Sequence, residues 1–578
     1  MNKIDINMPR PEYPRPQMVR HDWINLNGKW DFEIDNSVSG EERQFYLRDS
    51  FDNEIIVPFC PESELSGIGN IDFMNSVWYL KKITIPDKWE GKTIILHFGA
   101  VDYSSKVWVN GKFAGSHKGG YTSFSFDITS YLCEGENSII LNAADDVRSF
   151  KQPKGKQRHE YMTTKGCDYT RTTGIWQTVW LEALNSTHIT NLKLTPDIGN
   201  KKIIIETEAE GDVRNCTVSA KAFYKGKEVG SAAGIISWKT LSMDLKVSQM
   251  HLWEPGNPEL YDLEVSLSYN GAMLDEVKSY FGMRSVSVTP KHAILINGNP
   301  VFQRLVLDQG FYPDGIYTAP TDEALKRDIE LSMELGFNGA RLHEKVFEPR
   351  FLYWADKMGY LVWEEHANWG LDISSASSLA DFLPEWMEAV KRDYSHPSIV
   401  GWCPFNETQP DTCMDVLNIV YTQTKLYDST RPVIDTSGYE RSACSDIYDS
   451  HNYTQDPQEM ADWYAPLAKG LPPVKDFWRT KPDARLTFVS EYGGIRWAPD
   501  QTEGWGYGNA PATEEEFLAR YKGLTTALLK NPAMTAFCYT QLYDVEQEVN
   551  GLLTYERKRK FDSEVIRKIN TQKAAIEG

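Results

Sequence analysis

The spacing of apolar residues changes character along the chain, and those changes divide it. Up to about residue 185, apolar positions come in short runs broken by turn residues. The stretch from Lys106 to Phe113 is the clearest: apolar residues flank Asn110-Gly111, and an Asn-Gly pair accepts the positive φ that a two-residue hairpin needs. Tyr121 to Ile128 alternates apolar with polar, and Thr173 to Leu181 reads as another strand. The pattern predicts a β-sandwich of jelly-roll type. From about 186 to 285 the same rhythm recurs on a smaller scale, with strands predicted at His188 to Leu194, Lys202 to Thr207, Val218 to Tyr224 and Leu260 to Ser268. Roughly seven short strands in about 100 residues is the size of an immunoglobulin-like sandwich.

From about 286 the period lengthens. Apolar runs at Phe302 to Leu307, Gly339 to His343, Leu361 to Glu365, Ile399 to Asn406, Val433 to Thr436, Tyr448 to Tyr453, Leu486 to Glu491 and Ala536 to Gln541 alternate with helical stretches. One helix opens on Thr321 with Asp322 and Glu323 in its first turn, aligns Leu325, Ile329 and Met333 on one face, and closes on Gly336. Thr513 to Leu529 reads as another. Strand–helix units repeated in this way over about 290 residues predict a (β/α)8 TIM barrel. A doubly wound open sheet is the main alternative, and no G-x-G-x-x-G follows the first strand to support it. The chain is therefore expected to be multidomain, β plus α/β: residues 1–185, 186–285 and 286–578.

Composition narrows the function. The 578 residues carry a formal net charge of −20, which argues against binding nucleic-acid phosphates. Aromatic residues make up 12%, with 18 Trp, and favour sugar stacking only slightly over core filling. The eight cysteines, scattered with no C-x-x-C pair, suit free thiols in a reducing compartment. The start has no apolar signal-peptide core and no run approaches a membrane span. A soluble, cytoplasmic protein with no membrane partner is the expectation.

Two glutamates carry the candidate chemistry. Glu407 ends the run Ile399-Val400-Gly401-Trp402-Cys403-Pro404-Phe405-Asn406-Glu407, and Glu491 ends Leu486-Thr487-Phe488-Val489-Ser490-Glu491. Each sits where a barrel strand gives way to polar residues, the end at which catalytic side chains collect. Two carboxylates there are what glycoside hydrolysis needs, one as proton donor and one as nucleophile or base.

These segments resemble glycoside hydrolase family 2, the family of β-galactosidases, β-glucuronidases and β-mannosidases. Asp22 to Phe32 resembles its opening strand, Thr172 to Glu182 its end-of-sandwich signature, and Arg392 to Trp402 with Asn406-Glu407 its acid/base motif. Phe488 to Gly493 is similar to its nucleophile motif, and Asp544 to Arg557 to the segment after the last strand. The resemblance implies an exo-acting, retaining glycosidase with an oligosaccharide or glycoside substrate and no cofactor or metal. In it Glu491 attacks the anomeric carbon, and Glu407 acts as acid and then base. The charge on Glu491 is expected to raise the pKa of Glu407 and keep it protonated. By the same resemblance Asn406 binds the sugar 2-hydroxyl, Arg341 orients the nucleophile, His343 touches sugar hydroxyls, and Tyr453 bonds the nucleophile. Members are often dimers or tetramers, so a homo-oligomer is among the expectations.

The chain departs from the family at the glycone. The Asn-x-Lys pair with which β-glucuronidases grip the substrate carboxylate is missing near the last strand, where Asn550-Gly551-Leu552 stands. Asn27-Gly28-Lys29, Asn110-Gly111-Lys112 and Asn191-Leu192-Lys193 fit the pattern but lie in the sandwiches. A galacturonidase could use other cations, and a sandwich loop can reach the barrel mouth, but the basic run Lys154, Lys156 and Arg158 reads rather as a solvated loop. Where large β-galactosidases carry Asn-His-His, Leu305 to Gly310 puts Asp308 at the position of a sugar contact. Glu364-Glu365-His366 could suggest a metal, but neighbouring strand residues face opposite sides. Trp369 and Trp497 follow strand ends and are candidates for stacking on sugar. β-Galactosidase is the expected activity, with β-glucuronidase or β-galacturonidase and α-L-arabinofuranosidase as alternatives, and a non-catalytic carbohydrate-binding protein as the remote one.

Overall fold

The computed structural model describes residues 5–161, 166–289, 293–474, 483–499 and 503–577. The alternating N-terminal pattern folds into two antiparallel sheets. One runs, in spatial order, Asn53–Val57, Gly28–Ile34, Ser76–Thr84, Glu136–Ala144, Ser104–Val109 and Lys112–Lys118; the other runs Trp23–Asn25, Val179–Leu184, Thr93–Phe98 and Phe124–Asp127. Alternation gives each sheet one apolar face, and the two faces meet in a core that includes Trp30, Phe32, Tyr79, Phe98, Leu141 and Leu181. Asn110 (φ 51°) and Gly111 (φ 74°) make the predicted turn.

Tertiary contacts shorten two of the predicted strands. Only Phe124–Asp127 pairs from the Tyr121 to Ile128 run, because Tyr121 turns out of the sheet and its backbone N–H donates to Glu385 Oε1 at 2.7 Å. The Thr173 to Leu181 run splits: Gly174–Ile175 pairs with Val101–Asp102, and Val179–Leu184 joins the four-stranded sheet. Between them Trp176 is buried, its indole N–H donating to Gly120 O at 2.7 Å.

The next seven strands form a smaller sandwich. His188–Asp197, Lys202–Glu210 and Thr240–Lys246 make one sheet; Lys227–Ile236, Cys216–Tyr224, Tyr261–Tyr269 and Ala272–Phe281 make the other.

The third unit is a curled parallel sheet wrapped by helices. Its strands are β1 (Gln303–Asp308), β2 (Gly339–Leu342), β3 (Leu361–Glu365), β4 (Ile399–Cys403), β5 (Thr436–Ser437), β6 (Tyr448–Asn452), β7 (Leu486–Gly493) and β8 (Ala536–Thr540). The continuous sheet runs β4-β3-β2-β1-β8-β7-β6. β5 closes the gap: Phe405–Asn406, just beyond β4, pairs with it, and Ser437 Oγ donates to Asp449 Oδ2 of β6 at 2.8 Å. Pro404, which has no N–H for a ladder, separates Phe405–Asn406 from β4. Strands covered on both faces read as unbroken apolar runs, which is why most of them were visible in the sequence; β5 overlaps its expected run only at Thr436. The surrounding helices include α1 (Asp322–Glu334), α2 (Pro349–Met358), α3 (Leu379–Asp393), α4 (Met414–Tyr427), α5 (Pro457–Tyr464), α6 (Glu514–Leu529) and α7 (Ser563–Asn570). Thr321 and Thr513 cap α1 and α6 by accepting from Ala324 N and Glu516 N, each at 3.2 Å. Among the described residues no helix is long and apolar enough to cross a membrane. The cysteines are all free.

The basic run is where the structure departs furthest from expectation. Lys154, Lys156 and Arg158 are not solvated; they are 3%, 5% and 3% exposed. The backbone N–H groups of Lys154 and Gly155 donate to Trp369 O at 2.8 and 3.2 Å, and Arg158 Nη2 donates to Glu546 Oε2 and Gln547 Oε1, both at 3.1 Å. Gly155 has φ 56° and sits so close to the barrel that a Cβ would lie 2.2 Å from Glu344 O. A loop of the first sandwich thus forms part of the barrel mouth.

Candidate active site

Parallel strands deliver their C-terminal residues to one end of the barrel, and β2, β3, β4, β6 and β7 converge there. Glu491 lies near the end of β7. Glu407 follows Asn406 and adopts a left-handed backbone (φ 50°), an uncommon conformation for a residue with a side chain, with its N–H donating to Ser437 O at 2.9 Å. One donor atom each from Glu407, His451 and Glu491 lie within 4.8 Å of one another.

Glu491 is held from two sides. Arg341 Nη1 donates to its Oε1 at 3.2 Å, and the Tyr453 hydroxyl donates to its Oε2. Arg341 is itself fixed: Nε donates to Glu365 Oε1 at 2.5 Å, Nη1 to Ser490 O at 2.6 Å and Nη2 to Asn406 Oδ1 at 3.2 Å. His343 Nδ1 lies 3.2 Å from Glu365 Oε2. Burial first, then the charges of Lys156 and Arg341, push the His343 imidazole well below its ordinary value, so the ring is neutral. Asn406 accepts from Arg341 through its side-chain oxygen, while its Nδ2 is buried and has no hydrogen-bond partner among the described residues. Trp369 closes one side, its indole N–H donating to Asn406 O at 3.3 Å. The Tyr453 ring stacks on Tyr507 at 3.4 Å between centroids.

The expectation of a raised Glu407 is not met. Burial pushes its carboxyl up, but a hydrogen bond and charge from His451, the charge of Lys156 and a hydrogen bond from Tyr439 outweigh it, and the net shift is down. His451 moves the opposite way: burial disfavours its charge, but Glu491 and Glu407 raise it above its ordinary value.

Lys156 completes the charge pattern. Its ammonium lies 3.8 Å from the centre of the Trp369 ring. Burial opposes its charge, but Cys167, Glu548, Glu407 and Glu491 around it keep it protonated. Among the described residues no hydrogen bond or ion pair engages that ammonium. Glu548 stands nearby, accepting from the Tyr169 hydroxyl and from Asn550 Nδ2 at 2.9 Å.

Two singled-out residues sit apart from the carboxylate pair. Asp308 ends β1, where its Oδ1 accepts from Tyr543 OH at 2.5 Å and Gly310 N at 2.9 Å. Burial, then the nearby Asp328, push its carboxyl up to about 6. No described contact joins it to Glu407 or Glu491. Trp497 packs on Phe517 of α6 and on Phe561, with centroids 5.8 and 6.1 Å away, in the shell of the barrel and not at its mouth. Glu364 and Glu365 diverge as alternation requires: Glu365 meets Arg341, and Glu364 lies beside Asp393. The described cluster able to offer three metal donors is instead Glu407, His451 and Glu491. There Arg341, 3.2 Å from Glu491, already supplies a cation.

Sequence reasoning missed His451 and Glu365, and preferred a solvated loop for Lys156 over a place at the barrel mouth. Alternation held the signal for the first, because His451 is two residues from Tyr453 and shares its face. The place of Lys156 depends on how the sandwich docks, which local pattern does not give.

Three family models match the chain in order: "Glycosyl hydrolases family 2, sugar binding domain" over residues 67–184, "Glycosyl hydrolases family 2" over 187–284, and "Glycosyl hydrolases family 2, TIM barrel domain" over 294–475. A β-galactosidase of Thermoanaerobacter pseudethanolicus is 29% identical over 347 residues, 57% of this chain and 44% of that protein. A putative β-glucuronidase of Formosa agariphila is 26% identical over 444 residues, 74% of this chain and 51% of that protein. The chain thus spans about half the length of these relatives. The fold is that of a Ruminococcus gnavus β-glucuronidase solved with D-glucuronic acid: TM-score 0.81, 18% identity, covering 97% of this chain and 100% of that one.

Proposed function

Because this chain belongs to glycosyl hydrolase family 2, we propose that it is an exo-acting retaining glycosidase with Glu491 as nucleophile and Glu407 as acid/base. The observation that carries this reading is the carboxylate pair, whose donor atoms lie within 4.8 Å. Oxygens that close suit double displacement, with carboxyl groups about 5–5.5 Å apart, better than inversion, which needs about 6.5–9.5 Å to admit a water. Glu491 bonds to the anomeric carbon as the leaving oxygen departs with a proton from Glu407. Water then replaces Glu491, giving a proton to Glu407. Arg341 and Tyr453 fix the attacking carboxylate, and the unpartnered Asn406 Nδ2 supports a donor for the sugar 2-hydroxyl. The sandwich loop at the mouth supports a pocket for one terminal sugar.

For the glycone the reading shifts from β-galactose to a hexuronic acid, a β-glucuronide or β-galacturonide. The missing Asn-x-Lys removes a lysine from the barrel, but Lys156 brings to the same mouth, from the sandwich, an ammonium that lies over Trp369 and makes no hydrogen bond or ion pair among the described residues. Such a cation suits a substrate carboxylate. Glu548 beside Lys156 favours a second reading, a neutral β-galactoside, since it already supplies an anion there.

Turnover of a panel of 4-nitrophenyl glycosides by the wild type and Glu491→Gln tests the mechanism. The substitution is expected to lower turnover by more than about 10³-fold with the fold intact. Turnover that survives it refutes the assignment.

A further inference from the structure

The polar groups around His451 constrain where its protons sit. Nδ1 lies 2.7 Å from Glu407 Oε1 and 3.3 Å from Glu491 Oε2. A lone pair there would face two carboxylates, so this nitrogen carries a hydrogen or receives one from Glu407. Nε2 lies 3.0 Å from Ser437 Oγ, whose hydroxyl donates to Asp449 Oδ2 at 2.8 Å. That same oxygen also takes the Ser490 hydroxyl and the Gly438 N–H, the latter at 3.1 Å. Ser437 Oγ also lies 3.2 Å from Ser490 Oγ; with its hydroxyl on Asp449, Nε2 donates to it. One further proton is then shared between Nδ1 and Glu407: either an imidazolium beside a carboxylate, or a neutral ring beside a carboxylic acid. Gly438 lets the ring sit close against the backbone, since a Cβ there would fall 2.8 Å from Cε1.

We propose that His451 is the proton partner of Glu407, so that the acid of the first step is a Glu407–His451 pair holding one proton. This rests on reading Glu407 as the acid/base. The proton passes from Nδ1 to Glu407 Oε1 and on to the glycosidic oxygen, as the C1–O bond breaks and the bond from Glu491 to C1 forms. The ring is left neutral. In the second step Glu407 takes a proton from water as the water oxygen bonds to C1 and the Glu491 ester breaks, and the proton returns to Nδ1. A lone glutamic acid would be ionised near neutrality; an imidazole partner keeps the transferable proton in place through that range. The charged and titratable groups facing the ring are Arg341 and His343 from β2, Glu365 from β3, Glu407 beyond β4, Tyr439 beyond β5, Asp449 and Tyr453 from β6, and Glu491 from β7. Lys156, from the sandwich loop, acts on Glu407. His451 is a positioning residue in this scheme, acting through Glu407.

The test measures kcat/KM from pH 4.5 to 9 for the wild type, His451→Gln and His451→Asn. It uses the 4-nitrophenyl glycoside that the wild type turns over and the corresponding phenyl glycoside, whose leaving oxygen needs the proton more. The alkaline limb is expected to move at least about one pH unit toward acid in both variants. Near neutrality the phenyl glycoside should lose about tenfold more than the 4-nitrophenyl one, a gap that closes at pH 5. An unmoved limb, or equal loss for both substrates at every pH, overturns the proposal. In the wild type the limb should also shift with temperature as imidazole does and a carboxyl does not; a temperature-independent limb overturns it even if neither variant folds. Glu407→Ala separates the two claims. Leaving-group dependence at every pH supports Glu407 as the acid, and its absence sinks that reading whatever His451 does.

Discussion

Replacing Lys156 with Met keeps a long apolar stem against Trp369 and removes only the ammonium, so it isolates the charge at the barrel mouth. That ammonium is on a residue 5% exposed, with its head 3.8 Å from the Trp369 ring centre. Folding has therefore already stripped most of its water, and a substrate carboxylate arriving there has only its own hydration to lose. At about 3 Å and an effective dielectric of roughly 20, the Coulomb attraction is about 5 kcal/mol. After desolvation of the carboxylate, the net value should match that of a hydrogen bond to a charged group, about 1.5–3 kcal/mol. Lys156→Met is thus expected to lower kcat/KM on a 4-nitrophenyl uronide by roughly 10- to 150-fold. A 4-nitrophenyl β-galactoside has no carboxylate to lose and should change by less than about threefold, within the few tenths of a kcal/mol ordinary for a peripheral change. Lys156 also helps hold the Glu407 carboxyl down, so the variant's pH profile should shift upward on either substrate. Equal loss on both substrates would mean that Lys156 only shapes the site. An uronide rate that survives the substitution would refute the carboxylate grip and leave the galactoside reading, with Glu548 as the sugar's partner.

Two further outcomes follow from contacts described or buried nearby. Tyr453→Phe removes the hydroxyl that donates to Glu491 while leaving the ring on Tyr507. kcat should fall roughly 10- to 150-fold, for a lost hydrogen bond of about 1.5–3 kcal/mol, with the unfolding temperature nearly unchanged; an unaltered kcat would show that Arg341 alone orients the nucleophile. In the first sandwich, burial pushes the Glu62 carboxyl from 4.5 up to about 8, against hydrogen bonds from Thr173. The folded chain therefore keeps a proton that the unfolded chain releases, and stability is full below pH 4.5 and drains away as pH rises toward 8. Asp145, pushed by burial up to about 6, adds in the same direction. Thermal unfolding followed across that window should show the decline, on the order of 5 kcal/mol from Glu62 alone, and Glu62→Gln should remove that share. A flat wild-type profile would contradict the buried acid.

What the sequence disclosed and what it hid differ by the distance over which each feature is determined. The barrel strands, the Asn110-Gly111 turn and the Thr321 and Thr513 caps are set by neighbours within a few residues, so periodicity and local chemistry revealed them. Glu407 and Glu491 were legible because each ends its own apolar run. Tyr121 fits a strand pattern yet leaves its sheet for Glu385, 264 residues away. Trp497 follows a strand end as Trp369 does, but it packs back onto α6, and position in a run does not say which way the chain turns next. His451 shares a face with Tyr453, but its meaning comes from three strands brought side by side. The downward shift of Glu407 follows from that same cation, which a linear reading does not place.

The loop from Lys154 to Arg158 separates what the barrel does from what the pocket selects. Every atom assigned here to bond breaking belongs to the barrel, whereas the cation proposed to choose the sugar arrives from a sandwich whose core is built elsewhere in the chain. Substitutions in that loop can change the preferred glycone at a catalytic cost limited to the charge that Lys156 places on Glu407, so selectivity is free to diversify at little risk to the carboxylate pair itself. It also makes turnover of the preferred sugar a reporter of docking: a lesion that loosens the sandwich against the barrel should cost selectivity before it costs activity.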